Sequence, residues 1–369
     1  MTSRRALLVG AVGTVVGARL LSACDGAAGN ERASTPAMSS TTAASSTTAS
    51  PTSTTSPTST TPTVKSDPTV APSPPAWESA DFAPLDAFIE STDGEAFAIW
   101  ENGAMIHEWY RTDASYSRDI ASSQKSFLSV LVGRAIGDGL VQFDTPIDDV
   151  LGPQWTPHGQ STDITVEHLL AMTGGLDNTL EVVAAPGERW IYSGAFATLF
   201  DVLTTITGRG LNEVAQAWLF DPAGAPDSVF YERPAGLFAP IGLRSTVPDL
   251  IAVGQLVLDG GPPGLVDGWL DLSFAPSQAF NRSYGLLWWL NGQDSFMLPG
   301  PDVQFPGILV PSAPAGLVAA LGMDDQKLYI VPEHRLVVAR LGGRAVPASQ
   351  AAWSPFDNDL WERLIALRG

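Results

Sequence analysis

The sequence predicts an α/β (α+β) domain in which an antiparallel sheet drawn from both chain ends is flanked by helices, with a helical lobe inserted in the middle. Three observations predict it. A hairpin pattern, Ala96-Phe97-Ala98-Ile99-Trp100 and Ala104-Met105-Ile106-His107-Glu108-Trp109, flanks the turn dipeptide Asn102-Gly103. Three apolar strand patterns, Leu317 to Gly322, Lys327 to Val331 and Leu336 to Leu341, stand near the other end. The residues between them are mostly helical in period. Strands at both ends with helices between them are satisfied by one sheet and an insertion, the lobe falling at about residues 140–283.

The elements follow in order. Asp81 to about Ser91 reads as a short amphipathic helix, and the hairpin comes next. A helix opens at Ala121-Ser122-Ser123-Gln124-Lys125-Ser126-Phe127, continues as an apolar run to Ile136 and ends at Gly137-Asp138-Gly139. A helix from Ile164 to Met172 starts at Thr165, a capping residue. The loop Pro186 to Gly194 delivers Tyr192 to a helix over Ala195 to Thr207, and Asn212 to Phe220 forms another. Ser245-Thr246-Val247-Pro248-Asp249 caps a helix running to Leu258. Tyr284 to Leu290 reads as a strand. On a strand the adjacent Trp288 and Trp289 face opposite ways, so at most one lines a pocket. Asn291 to about Gly316 has no periodicity and suggests a lid or binding loop. Pro355 to Leu367 closes the chain as an amphipathic helix.

The first 76 residues stand apart from this body. Arg4-Arg5 precede a short apolar stretch, and Leu21-Ser22-Ala23-Cys24 follows. Residues 1–24 therefore predict an export signal. Its arginine pair resembles a twin-arginine signal, and its end resembles a bacterial lipobox, which makes Cys24 the expected lipidation site. Residues 25–76 are Ser, Thr, Pro and Ala, too polar to offset their ordering entropy, and read as a tether with a coil span of about 40 Å. Residues 77–369 are the folded domain. The expectation is a protein exported to the cell envelope and lipid-anchored on the outer face of the bacterial cytoplasmic membrane.

Composition narrows the function. The chain carries 39 acidic and 20 Lys and Arg residues, a formal charge of −19, and all but three acids (Asp25, Glu31, Asp67) lie in the body. Such a surface repels nucleic acid and anionic lipid. Cys24 is the only cysteine, which excludes an intrachain disulfide and a cysteine nucleophile in the body. Asp144, Asp148 and Asp149 cluster, but no second cluster or histidine pair completes a metal site. His107, His158, His168 and His334 lack ligand spacing. No metal and no cofactor is expected; the oligomeric expectation is a monomer.

Ser122, Lys125, Ser126 and Ser129 share one face of an otherwise apolar helix. A buried lysine must be paired or neutral. Ser-x-x-Lys is a nucleophile–base spacing, and the helix start adds free N–H groups for a developing oxyanion. Alone, the pair also fits a capping serine and a lysine that reaches solvent. Tyr192 stands between a Pro-Gly turn and a helix, which suits an exposed, functional hydroxyl; alone, it also fits a buried tyrosine with a satisfied hydroxyl.

These residues carry a resemblance. From about Asp81 to Leu367 the chain resembles the serine β-lactamase-related family, with its class C β-lactamases, DD-peptidases, esterases and 6-aminohexanoate-dimer hydrolases. The matching stretches, in order, are Ser122 to Phe127, His168 to Leu176, Pro186 to Ser193, Ser245 to Leu250, Tyr284 to Trp289 and Lys327 to Pro332. The resemblance implies that fold, and a serine hydrolase working through an acyl-enzyme with Ser122 as nucleophile, Lys125 as general base and Tyr192 as proton shuttle. Ser122 and the backbone of Met323, Asp324 and Asp325 are then the expected oxyanion and substrate contacts.

Two positions depart from the family. Its Tyr-x-Asn is Tyr192-Ser193-Gly194 here, and its Lys-Thr-Gly or His-x-Gly falls at Gly322-Met323-Asp324-Asp325-Gln326. The usual cation for a substrate carboxylate is missing, which points to a small neutral or cationic amide or ester. A non-catalytic ligand-binding or sensor protein on the same fold is the alternative.

Overall fold

The structure, a computed structural model, describes residues 77–159, 163–234, 239–300, 302–345 and 355–369. The expected signal, Cys24 and the tether lie outside the described residues.

Helix α1 (Ala83–Ser91) leads into strands β1 (Gly94–Glu101), β2 (Ala104–Tyr110) and β3 (Ser117–Asp119). Helices α2 (Gln124–Gly137), α3 (Ile147–Leu151), α4 (Val166–Leu170), α5 (Thr198–Thr207) and α6 (Leu211–Ala215) follow. A π turn joins α6 to the short α7 (Asp221–Ala223). Strands β4 (Val229–Glu232) and β5 (Ile241–Thr246) precede α8 (Val247–Leu258) and α9 (Trp269–Ser273). The remaining strands are β6 (Trp289–Leu290), β7 (Ser295–Met297), β8 (Gln304–Pro306), β9 (Val318–Gly322), β10 (Gln326–Val331) and β11 (Leu336–Gly342), and α10 (Phe356–Arg368) closes the chain.

The main sheet has the order β2-β1-β11-β10-β9-β6, with every neighbour antiparallel. Both chain ends build it, as expected. The Asn102-Gly103 turn has positive φ at both residues, 51° and 91°, the hand that matches strand twist. Strands β10 and β11 are buried along their whole length. Helices therefore cover both faces, which explains their unbroken apolar sequence. On one face, α8 approaches so closely that a Cβ at Gly254 would strike Val337. On the other, Tyr329 meets Trp361 of α10 edge-on and Phe356 stacks on Phe88 of α1.

Caps formed where the chain chemistry placed them. Thr165 and His168 make a reciprocal capping box on α4, and Thr246 accepts from the Asp249 N–H at the start of α8.

Two segments differ from expectation. Only Trp289–Leu290 of the 284–290 stretch is a strand. Leu287 takes φ 62°, and the Gly285 N–H donates to the Trp288 carbonyl, so the chain turns tightly before β6. Residues 291–316 are not structureless, because β7 and β8 pair within them. Polar pins replace an apolar period here. The buried Asn291 donates to the carbonyls of Val310, Ala313 and Pro314 and accepts from the Val310 N–H. Asn281 likewise brackets Met297. A three-stranded sheet, β3-β5-β4, had no sequence signal, since β3 is three polar residues.

Candidate active site

Ser122 sits in a 3₁₀ turn, Ala121–Ser123, that opens α2. The turn is strained: Ala121 has φ 51°, a left-handed conformation that a side chain normally avoids. Its neighbours impose it. The Ala121 N–H donates to Asp119 Oδ1 at 2.8 Å. Arg233 grips the same carboxylate with two bonds, of 2.7 and 2.6 Å, and the Tyr231 hydroxyl donates to it at 2.6 Å. Burial would raise the Asp119 pKa, but these donors outweigh it and hold the carboxyl below its usual range. On the other side of the turn, Ser123 Oγ bonds the carbonyls of Ala320 and Gln326. The turn is thus fastened to the small sheet through Asp119 and to β9 and β10 through Ser123.

Lys125 follows one turn later. Its Nζ donates to Ser122 Oγ at 2.8 Å. The side chain is only 2% exposed, whereas Ser122 is partly open to solvent. Burial drives the lysine pKa well below its ordinary 10.5, and the positive charge of Arg233 pushes it further in the same direction. The amine lies 4.1 Å from the Phe196 ring centre and 4.6 Å from that of Tyr192.

Tyr192 shares a hydrogen bond with Ser122. Burial raises its phenol pKa, and that bond offsets only part of the effect, so the hydroxyl stays protonated. Its ring is held in an aromatic cluster with Trp190, Tyr284 and Trp289, ring centres 5.7 to 6.1 Å away. Trp288 leaves in the other direction and meets Phe274 edge-on. Trp289 is therefore the member of the pair that reaches the site. Ser193 then caps the 3₁₀ turn Gly194–Ala197, accepting from the Ala195 N–H.

The opposite wall is the end of β9. Gly322 lies against the Ser122 turn: a Cβ there would collide with the Ile120 carbonyl. Met323 is 62% exposed. Asp324 and Asp325 both take positive φ, 57° and 60°. The Asp324 carboxylate lies 3.5 Å from Arg118 and 3.4 Å from Arg344. The Asp325 carboxylate is turned into the interior, 3.3 Å from Lys327, and accepts the Ala345 N–H. Gln326 clamps the turn by donating to the Asp324 and Gly342 carbonyls.

The structure thus brings Ser122, Lys125 and Tyr192 into contact and sets the Met323–Asp325 turn on the strand beside them. Sequence reasoning missed Asp119, Tyr231 and Arg233, which support the turn; Arg233 reaches Asp119 across 114 positions. Their one local signal is Asp119 itself, an acid two residues before Ala121. The histidines serve elsewhere; His107, for example, bonds Asp86 at 2.6 Å. Asp148 accepts the Trp155 indole N–H.

Fold and site together define a serine-hydrolase-related protein. Residues 85–357 match the Beta-lactamase family, and the chain belongs to it. The 6-aminohexanoate-dimer hydrolase of Paenarthrobacter ureafaciens is 22% identical over 339 residues, 76% of this chain and 78% of that protein. An uncharacterized protein of Alkalihalophilus pseudofirmus is 28% identical over 140 residues, 34% of this chain; the match spans only 41% of that protein. The penicillin binding protein of Bacillus halodurans superposes with a TM-score of 0.58 at 16% identity, covering 77% of this chain and 98% of that one.

Proposed function

We propose that this chain is a serine hydrolase that cleaves an amide or ester through an acyl-enzyme. The observation that carries the reading is the 2.8 Å contact between Lys125 and Ser122, made by a lysine whose burial favours the neutral amine. Neutral Lys125 accepts the Ser122 hydroxyl proton as Oγ bonds to the substrate carbonyl carbon. The carbonyl oxygen gathers negative charge in the tetrahedral intermediate. The Ser122 N–H, an orphan donor of its turn, and a backbone N–H of Met323–Asp325 are the proposed pair that receives it. When the carbon–leaving-group bond breaks, Tyr192 gives its proton to the departing nitrogen or oxygen and is reprotonated from Lys125. Its raised pKa suits a relay that never rests as phenolate. Water repeats the sequence on the acyl-enzyme and frees Ser122.

The substrate class is a small neutral or cationic amide or ester. The kinship with a 6-aminohexanoate-dimer hydrolase supports an amide. Export and anchoring through Cys24 complete the proposal; Cys24→Ala should release the protein from membranes.

The test is turnover of 4-nitrophenyl esters, neutral amides and a cephalosporin chromophore by wild type and Ser122→Ala. Wild type should hydrolyse an ester or amide, and the variant should lose at least about a thousandfold in kcat. Ligand affinity that survives Ser122→Ala, with no turnover in folded wild type, would instead establish a binding protein.

A further inference from the structure

At the far end of α2 and β10 from Ser122, the fold leaves a cavity that the mechanism does not use. It measures about 430 Å³ and lies between the end of α8, the segment through α9 and Pro332. Two elements fix its distance from the site. β10 begins at Gln326, whose carbonyl accepts from Ser123 Oγ, and ends one residue before Pro332. α2 runs from the Ser122 turn to Gly133 and Gly137, where a Cβ would strike Trp269 and the Gly264 carbonyl. At about 1.5 Å per helical residue and about 3.3 Å per strand residue, the cavity stands roughly 15–20 Å from Ser122.

The lining combines three kinds of group. Leu265 and Val266 give it an apolar wall, and Trp269 and Phe274 give it aromatic rings. Asp267 and Asp271 are the charged side chains of the lining, and both are exposed. Among the described residues neither carboxylate has a hydrogen-bond or ion-pair partner. The neighbouring arginines are already paired, Arg134 with Asp138 and Arg335 with Asp259. The rings are held in place. Trp269 donates its indole N–H to the Ser129 carbonyl at 3.1 Å and meets Phe143 edge-on, and Phe274 meets Trp288 edge-on. Aromatic rings and unpaired carboxylates, with no base among them, attract a cation and repel an anion. Among the described residues no third metal-ligating side chain joins the two carboxylates, so a bare metal ion does not fit. The apolar wall asks instead for a cation that carries an apolar body.

We propose that this cavity binds a small organic ammonium ion, its charge at Asp267 and Asp271 and its apolar body against Trp269 and Phe274. The site stands apart from Ser122, so the inference holds or falls independently of the hydrolase reading. Its test is an NMR titration of the protein with three benzyl probes that differ in charge: benzyltrimethylammonium, benzyl alcohol and phenylmethanesulfonate. The cation should bind saturably and at least about fivefold more tightly than the alcohol, and the anion should not bind. Asp267→Asn combined with Asp271→Asn should weaken the cation about fivefold, the worth of two exposed charge pairs, and leave the alcohol within about twofold. Both positions are exposed, so this variant keeps the fold. Glu78→Gln combined with Glu108→Gln removes the same charge from exposed positions elsewhere and should change neither affinity. Leu265→Trp, which fills the cavity, should weaken both the cation and the alcohol. The proposal is overturned by any of four results: no saturable binding of the cation, equal binding of all three probes, a cation affinity in the Asn pair within twofold of wild type, or an equal loss in the Gln pair. Undiminished binding in a folded Leu265→Trp would overturn it as well.

Discussion

Gly322 meets the carbonyl oxygen of Ile120 so closely that no side chain fits between them. This contact sets the end of β9 against the Ser122 turn, with Ser123 Oγ bonded across the same seam to Ala320 and Gln326. Backbone conformation does not require glycine here, because φ is −111°. The requirement is steric. Gly322→Ala should cost about 1–3 kcal/mol, as overpacking does, and should lower kcat more than it raises KM. Chemical denaturation and steady-state kinetics check both.

In the proposed mechanism the state of Lys125 sets the pH profile. Its pKa is lowered first by burial and then by Arg233, so the ascending limb of kcat/KM should lie well below pH 10.5. Arg233→Gln removes the like charge and should move that limb to higher pH. It also frees Asp119 beneath the turn, so the maximum rate should drop as well. A pH–rate series on both proteins reads the two effects separately.

The same burial has a stability consequence. Between the depressed folded pKa and 10.5, the unfolded chain binds the proton that the folded chain lacks, so this residue makes stability rise with pH across that window. Lys125→Met removes the penalty. It should raise Tm at neutral pH by about 2 °C or more while abolishing turnover, the trade expected of a strained functional site. Differential scanning calorimetry at two pH values tests it.

A second buried lysine does the opposite. Lys327 lies 2.9 Å from Asp357 and 3.3 Å from Asp325, and Tyr329 donates to Asp357 at 2.7 Å. Lys327→Ala removes the cation shared by two buried carboxylates and should cost about 3–5 kcal/mol in denaturant unfolding. Burial would raise the Asp325 pKa, but Lys327, the Ala345 N–H and Arg340 hold it below 3.8. Its stabilising contribution is therefore present above 3.8 and lost as pH falls through the lower folded value. Acid unfolding should shift to higher pH in the variant.

Much of this was legible because it is local. The Asn102-Gly103 hairpin, the caps at Thr165 and Thr246 and the Ser122–Lys125 face each rest on residues within a few positions of one another. What stayed hidden depends on distant partners. Arg233 reaches Asp119 across 114 positions, and β3 becomes a strand only because β5 pairs with it. The 291–316 segment lacks an apolar period because Asn281 and Asn291 order it through hydrogen bonds.

The most direct measurement is the intact mass of the protein after exposure to a fluorophosphonate and to an activated acyl ester, followed by peptide mapping. The account predicts a single adduct on Ser122, lost in Ser122→Ala and slowed at least about a hundredfold in Lys125→Met. No adduct on folded wild type, or one that persists in Ser122→Ala, would contradict it.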